Sequence, residues 1–131
     1  MQDEIVIVAA KRTPIGGLLG KLSHLLAVDL GVISHLACLE QAGLQANQIN
    51  EVIMGCVLTA GLGQAPARQT IIKAGMPDHI PAQTINKVCG SGMQAIITAY
   101  ESILSGRNDI VLAGGMESMS HAPYLLSKAR T

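Results

Sequence analysis

Gln83-Thr84-Ile85-Asn86-Lys87-Val88-Cys89-Gly90-Ser91-Gly92-Met93 runs into an apolar-periodic stretch ending near Ser105, and Asp109-Ile110-Val111-Leu112-Ala113-Gly114-Gly115 follows. This is the pattern of a strand, a helix and a second strand in one short span. The first strand is read over Gln83 to Val88. The helix, over Met93 to Ser105, places Gln94, Thr98, Glu101 and Ser105 on one face. Met93, Ile96, Ile97, Tyr100, Ile103 and Leu104 fall on the other, so this face is predicted to be the buried one. The second strand, over Asp109 to Ala113, is short and continuously apolar, as strands of a parallel sheet covered on both faces are.

The same alternation extends upstream. Ile5 to Ala10 is a Val- and Ile-rich run that stops at Thr13-Pro14 and Gly16-Gly17, and it predicts a buried first strand. Leu25 to Ala42 has helical spacing, and Gly43 stands where a left-handed cap ends a helix. Glu51 to Leu58 predicts another strand, broken by Gly61-Leu62-Gly63. Pro66 then opens a helix that ends near Gly75 and Pro77. Strands alternating with helices predict an α/β fold: a mostly parallel sheet with helices on both faces. After Gly115, Met116 to Thr131 has no clear period. A last strand with no helix after it leaves part of one face uncovered, so exposed apolar surface and either truncation or an obligate partner are expected.

Composition narrows the function classes. Nine Lys and Arg balance nine Asp and Glu in 131 residues, so there is no basic field for nucleic acid. No apolar run approaches the roughly 20 residues that span a bilayer, and Met1-Gln2-Asp3-Glu4 is not the basic start of a leader. Cys38, Cys56 and Cys89 form no CxxC pair, and His24, His35, His79 and His121 form no HxH or HxxxH clamp. No metal or redox cofactor is implied, each histidine is expected to be at the surface or satisfied, and free thiols suit a cytoplasmic protein. The glycines at 16, 17 and 20 and at 61 and 63 do not complete a GxGxxG nucleotide fingerprint.

Among residues able to carry chemistry, Cys89 stands out by position, between a strand and the first turn of a helix. Unpaired N–H groups and the dipole at a helix start favour a thiolate. Gly90 and Gly92 clear space for an acyl group, and the local N–H groups, that of Cys89 included, are candidate oxyanion donors. A small buried cysteine with glycines that permit close helix-to-sheet packing fits these residues equally well. Cys38, in mid-helix, and Cys56, in mid-strand, read as packing residues. Gly114 to Ser120 reads as a binding loop at the carboxyl end of a strand, where open α/β sheets place ligands, or as a tight turn.

Asn86-Lys87-Val88-Cys89-Gly90-Ser91-Gly92-Met93-Gln94-Ala95 resembles the nucleophile segment of thiolases. Arg12-Thr13-Pro14-Ile15-Gly16 and Gly114-Gly115-Met116-Glu117-Ser118-Met119-Ser120 resemble thiolase segments in the same order. The resemblance implies a thiolase-like fold, with residues 1–131 as the amino-terminal portion of the first thiolase domain and no second domain. It also implies that Cys89 accepts the acyl group, that acyl-CoA and coenzyme A are substrates rather than cofactors, and that the working form is a homodimer or homotetramer. The histidine and second cysteine that serve the family as base and acid come from later segments, and neither Cys38 nor Cys56 lies in a matching motif. The resulting expectation is an acyltransferase that condenses two acetyl-CoA or cleaves 3-ketoacyl-CoA. The alternatives are a related condensing enzyme such as a ketoacyl synthase, and a catalytically incomplete or non-catalytic module of the same fold.

Overall fold

The computed structural model describes residues 4–130; Met1 to Asp3, read above for a leader, and Thr131 at the end of the tail lie outside it. Three strands form the sheet: β1 (Glu51–Gly55), β2 (Ala82–Ile85) and β3 (Val111–Gly115). Their order is β2-β1-β3 and both pairings are parallel, with Val52 opposite Ala82 and Leu112. Among the described residues three α-helices accompany them: α1 (Ala27–Ala42), α2 (Pro66–Lys73) and α3 (Ser91–Leu104). The parallel α/β expectation holds.

The central strand is buried throughout because both of its faces are covered. Successive side chains point to opposite faces, so Val52 and Met54 join the core formed with Ala67 and Ile71 of α2, while Ile53 meets Ala95 and Ala99 of α3. Each fully buried side chain of this size contributes roughly 1.5–3 kcal/mol. Helix α2 begins with Pro66, whose missing N–H costs nothing at the first helical position. Helix α1 ends at Gly43, which takes the left-handed conformation (φ 65°) and donates its N–H to the Glu40 carbonyl at 3.2 Å. At the amino end of the sheet, Glu51 accepts from Arg107 (3.1 Å) and Asn108 (2.7 Å), which joins the starts of β1 and β3.

Three expectations need correction. Ile5 to Ala10 forms no strand, and Val6, Ile7 and Val8 are 62, 77 and 64% exposed. Both edges of β1 are occupied by β2 and β3, so the run has no ladder there, and Ala10 is held instead by an N–H bond to Gln41 Oε1 (3.2 Å). Helix α3 is turned relative to its expected face. Its buried stripe is Ser91, Ala95, Ala99 and Ser102, while Met93 is 64% and Tyr100 50% exposed. Small residues let the helix axis approach the sheet, and the large apolar side chains then point away from it. The outward face of α3 is therefore apolar and exposed, where the sequence predicts it to be buried. Finally, β1 stops at Gly55 and β2 at Ile85, both short of the predicted ends, because residues 56–58 and 86–89 leave the sheet to build the site described below.

His35 also departs from the satisfied-or-surface expectation. It is 3% exposed, its Nε2 lies 3.2 Å from Met54 Sδ, and Nδ1 has no hydrogen-bond partner among the described residues. Burial alone pushes its pKa down to about 4. The unfolded chain therefore binds a proton below about pH 6.5 that the folded chain refuses until about pH 4. Stability is complete above that window and falls through it, by about 3 kcal/mol at the lower end. Urea midpoints measured at pH 7 and pH 4.5 should show most of this loss, and His35→Leu should remove it. An equal loss in the variant would contradict the assignment.

Candidate active site

The carboxyl ends of all three strands converge on an open cavity of about 540 Å³, lined among others by Cys56, Leu58, Val88, Cys89, Met116 and Glu117. Cys89 is exposed there, at the turn between β2 and α3. The turn is built by polar side chains. Val88 N–H donates to Asn86 Oδ1 (2.9 Å), Lys87 N–H donates to Ser91 Oγ (2.8 Å), and Ser91 Oγ donates to the Val88 carbonyl (2.6 Å). Val88 itself takes φ 50°, a left-handed conformation uncommon for a β-branched residue. Helix α3 starts immediately afterwards, with Gly90 at its cap, no side-chain cap and no acidic residue in the first turn. No carboxylate of that first turn therefore offsets the helix dipole beside Cys89, although the Gly90 and Ser91 N–H groups are paired with the Lys87 and Val88 carbonyls.

The height of that helix start is fixed by glycines. A Cβ on Gly55 would lie 2.4 Å from the Ser91 carbonyl carbon, and one on Gly115 would lie 3.1 Å from Gly92 Cα. Gly92 thus serves the packing role weighed above as well as lining the cavity. The loop after β3 forms the opposite wall. Glu117 accepts from Val57 N–H (2.9 Å) and Leu58 N–H (3.1 Å), which draws the exit of β1 away from the sheet and toward the cavity. Nothing local marks Glu117 for this task; the signal was only its place in a loop already read as a binding loop.

The three cysteines occupy different environments. Cys38 is half-buried in α1, Cys56 is buried, and Cys89 is exposed. Cys56 Sγ lies 3.7 Å from Glu117 Oε1, and burial, followed by the Glu117 charge and hydrogen bond, pushes its pKa up to about 11. It is a thiol at neutral pH. Iodoacetamide at pH 8 should therefore alkylate Cys89 and spare Cys56, with Cys56 labelling rising only as the pH approaches about 11. Peptide mass mapping checks this, and comparable labelling of both at pH 8 would contradict it.

None of the four histidines lines this cavity among the described residues, and no group of three or more His, Cys, Asp or Glu side chains there is arranged to hold a metal. No helix among those residues is long and apolar enough to cross a membrane.

The class the fold defines is a parallel α/β protein with an exposed cysteine at a strand-to-helix turn, on the carboxyl side of the sheet. The sequence profile described as "Thiolase, N-terminal domain" matches residues 5–131, and the chain belongs to the thiolase family. It is 52% identical over 127 residues to "Acetyl-CoA acetyltransferase" of Cupriavidus necator, covering 97% of this chain and 32% of that protein. It is 52% identical to the protein of the same name from Pseudomonas aeruginosa over 131 residues, covering 100% of this chain and 33% of that one. With the human "Acetyl-CoA acetyltransferase, mitochondrial" the identity is 50% over 128 residues, covering 98% and 30%. The chain thus spans about a third of the length of these relatives.

Proposed function

We propose that this chain carries the acyl-accepting half of an acetyl-CoA acetyltransferase, with Cys89 as the nucleophile. The observation that carries the reading is the exposed Cys89 at the start of α3, facing a cavity at the carboxyl ends of the strands. In the first step Cys89 Sγ attacks the acetyl-CoA carbonyl. The new S–C bond forms as the CoA–S bond breaks, and the thiol proton leaves with the coenzyme A sulfur. The Cys89 N–H is the candidate donor to the oxyanion that develops between the two states. A second acetyl-CoA, deprotonated next to its carbonyl, then takes the acetyl group to give acetoacetyl-CoA; thiolytic cleavage is the reverse. On the family resemblance, the base and acid for that step come from segments later than residue 131. On this reading residues 1–131 are the amino-terminal portion of the first thiolase domain, and the working form is a homodimer or homotetramer. The free thiols favour a reducing compartment such as the cytoplasm.

Two other readings give different results in one experiment. Purified chain is incubated with acetyl-CoA or with an acetylated carrier protein, and protein-bound acetyl is measured. Transfer from acetyl-CoA that free coenzyme A reverses supports the proposal. Transfer from the carrier protein alone means a ketoacyl-synthase-type enzyme. Transfer from neither means a catalytically incomplete fragment or a non-catalytic module of the same fold.

A further inference from the structure

We infer, on the reading that Cys89 carries the acyl group, that Ser91 is a positioning residue for it: the Ser91 hydroxyl holds Val88 in the left-handed conformation that presents Cys89 to the cavity. Ser91 is buried in the first turn of α3, yet its hydroxyl turns back toward the chain before the helix. It accepts from Lys87 N–H at 2.8 Å and donates to the Val88 carbonyl at 2.6 Å, so one oxygen grips the backbone on both sides of Val88. Val88 needs such a grip. At φ 50° a valine Cβ crowds the backbone, and a conformation of that kind persists only where its surroundings over-determine it.

The packing of the Val88 side chain does not supply that hold, because the side chain is exposed. Other bonds share the task. Val88 N–H donates to Asn86 Oδ1 (2.9 Å), Gly90 N–H donates to the Lys87 carbonyl (3.1 Å), and the Ser91 N–H joins its own hydroxyl in donating to the Val88 carbonyl (3.1 Å). The first two lie within the turn itself, whereas Ser91 is anchored to the sheet through the close approach of its backbone to Gly55, and only its hydroxyl also reaches the chain before Val88, at Lys87 N–H. The line of restraint therefore runs from β1 to the Ser91 backbone, through its hydroxyl to Val88, and so to Cys89. A hydroxyl that merely completed a helix start would have no reason to depend on the conformation of Val88.

That dependence is what separates the two roles. Glycine adopts positive φ without strain, so in a Val88→Gly chain the grip becomes dispensable. The test measures second-order rates of Cys89 alkylation by iodoacetamide, and of acetylation by acetyl-CoA, for Ser91→Ala, Val88→Gly and the double variant. Circular dichroism melts confirm that each is folded. Loss of the hydroxyl should slow both reactions of Cys89 about tenfold in the native background and less than about twofold in the Val88→Gly background. Equal losses in both backgrounds, or no loss in either, would overturn the inference. If Ser91→Ala alone does not fold, the double variant decides. It should fold and alkylate within about threefold of Val88→Gly, and its unfolding or a tenfold deficit would equally overturn the inference. A native chain that alkylates as expected but takes no acetyl from acetyl-CoA would count against the acyl-transfer reading and leave the positioning role standing.

Discussion

Gly55→Ala is expected to destabilise the chain by about 3 kcal/mol or more, within reach of unfolding it outright. The added methyl would sit 2.4 Å from the Ser91 carbonyl carbon, 2.6 Å from Gly92 N and 2.7 Å from Ser91 O, and all three are backbone atoms that no rotamer change can move. Relief requires lifting the start of α3 off the sheet. That breaks the packing of Ala95 on Ile53 and carries Cys89 out of its place. Gly17→Ala is the control: nothing lies within 4 Å of a Cβ there, and the cost should stay within about 0.5 kcal/mol. Urea unfolding of both variants measures the contrast. Similar midpoints would mean that α3 is not seated as described.

Cys89→Ala should abolish acetyl transfer. The appropriate setting is a chimera in which residues 5–131 replace the matching third of the Cupriavidus necator relative, which supplies the length this chain does not cover. Removing the nucleophile closes the covalent route, and loss of an essential nucleophile typically costs at least about 1,000-fold in turnover. Cys38→Ala, half-buried in α1 and outside the cavity lining, should stay within about twofold. Acetoacetyl-CoA formation reads out both. Substantial turnover by the Cys89→Ala chimera would remove Cys89 from the mechanism.

The features legible in the sequence are those set by local chemistry. Gly43 ends α1 and Pro66 opens α2 because each backbone demand is met by one residue type. Cys89 was conspicuous because a strand-to-helix turn flanked by glycines is visible in the chain itself. The misread features depend on distant contacts. The strand over 51–58 ends early because Glu117, 60 residues later, takes the N–H of Val57. The buried face of α3 was assigned by side-chain size, yet the glycines at 55, 92 and 115 bring helix and sheet so close that alanines and serines fill the contact. The apolar run at 5–10 has the composition of a strand, but pairing belongs to the sheet, and β1 is already flanked on both sides. Ser91 and Glu117 gave no local sign of their roles, which exist only once the turn and the β3 loop are folded against the cavity.

The most direct test of the account is to quench the chimera with acid during turnover of acetyl-CoA and map the covalent acetyl group by peptide mass. The account predicts one hydroxylamine-labile acetyl thioester, on Cys89, absent from Cys38 and Cys56 and lost when coenzyme A is added before the quench. An active chimera holding its acetyl group on any other residue, or holding none covalently, would contradict it.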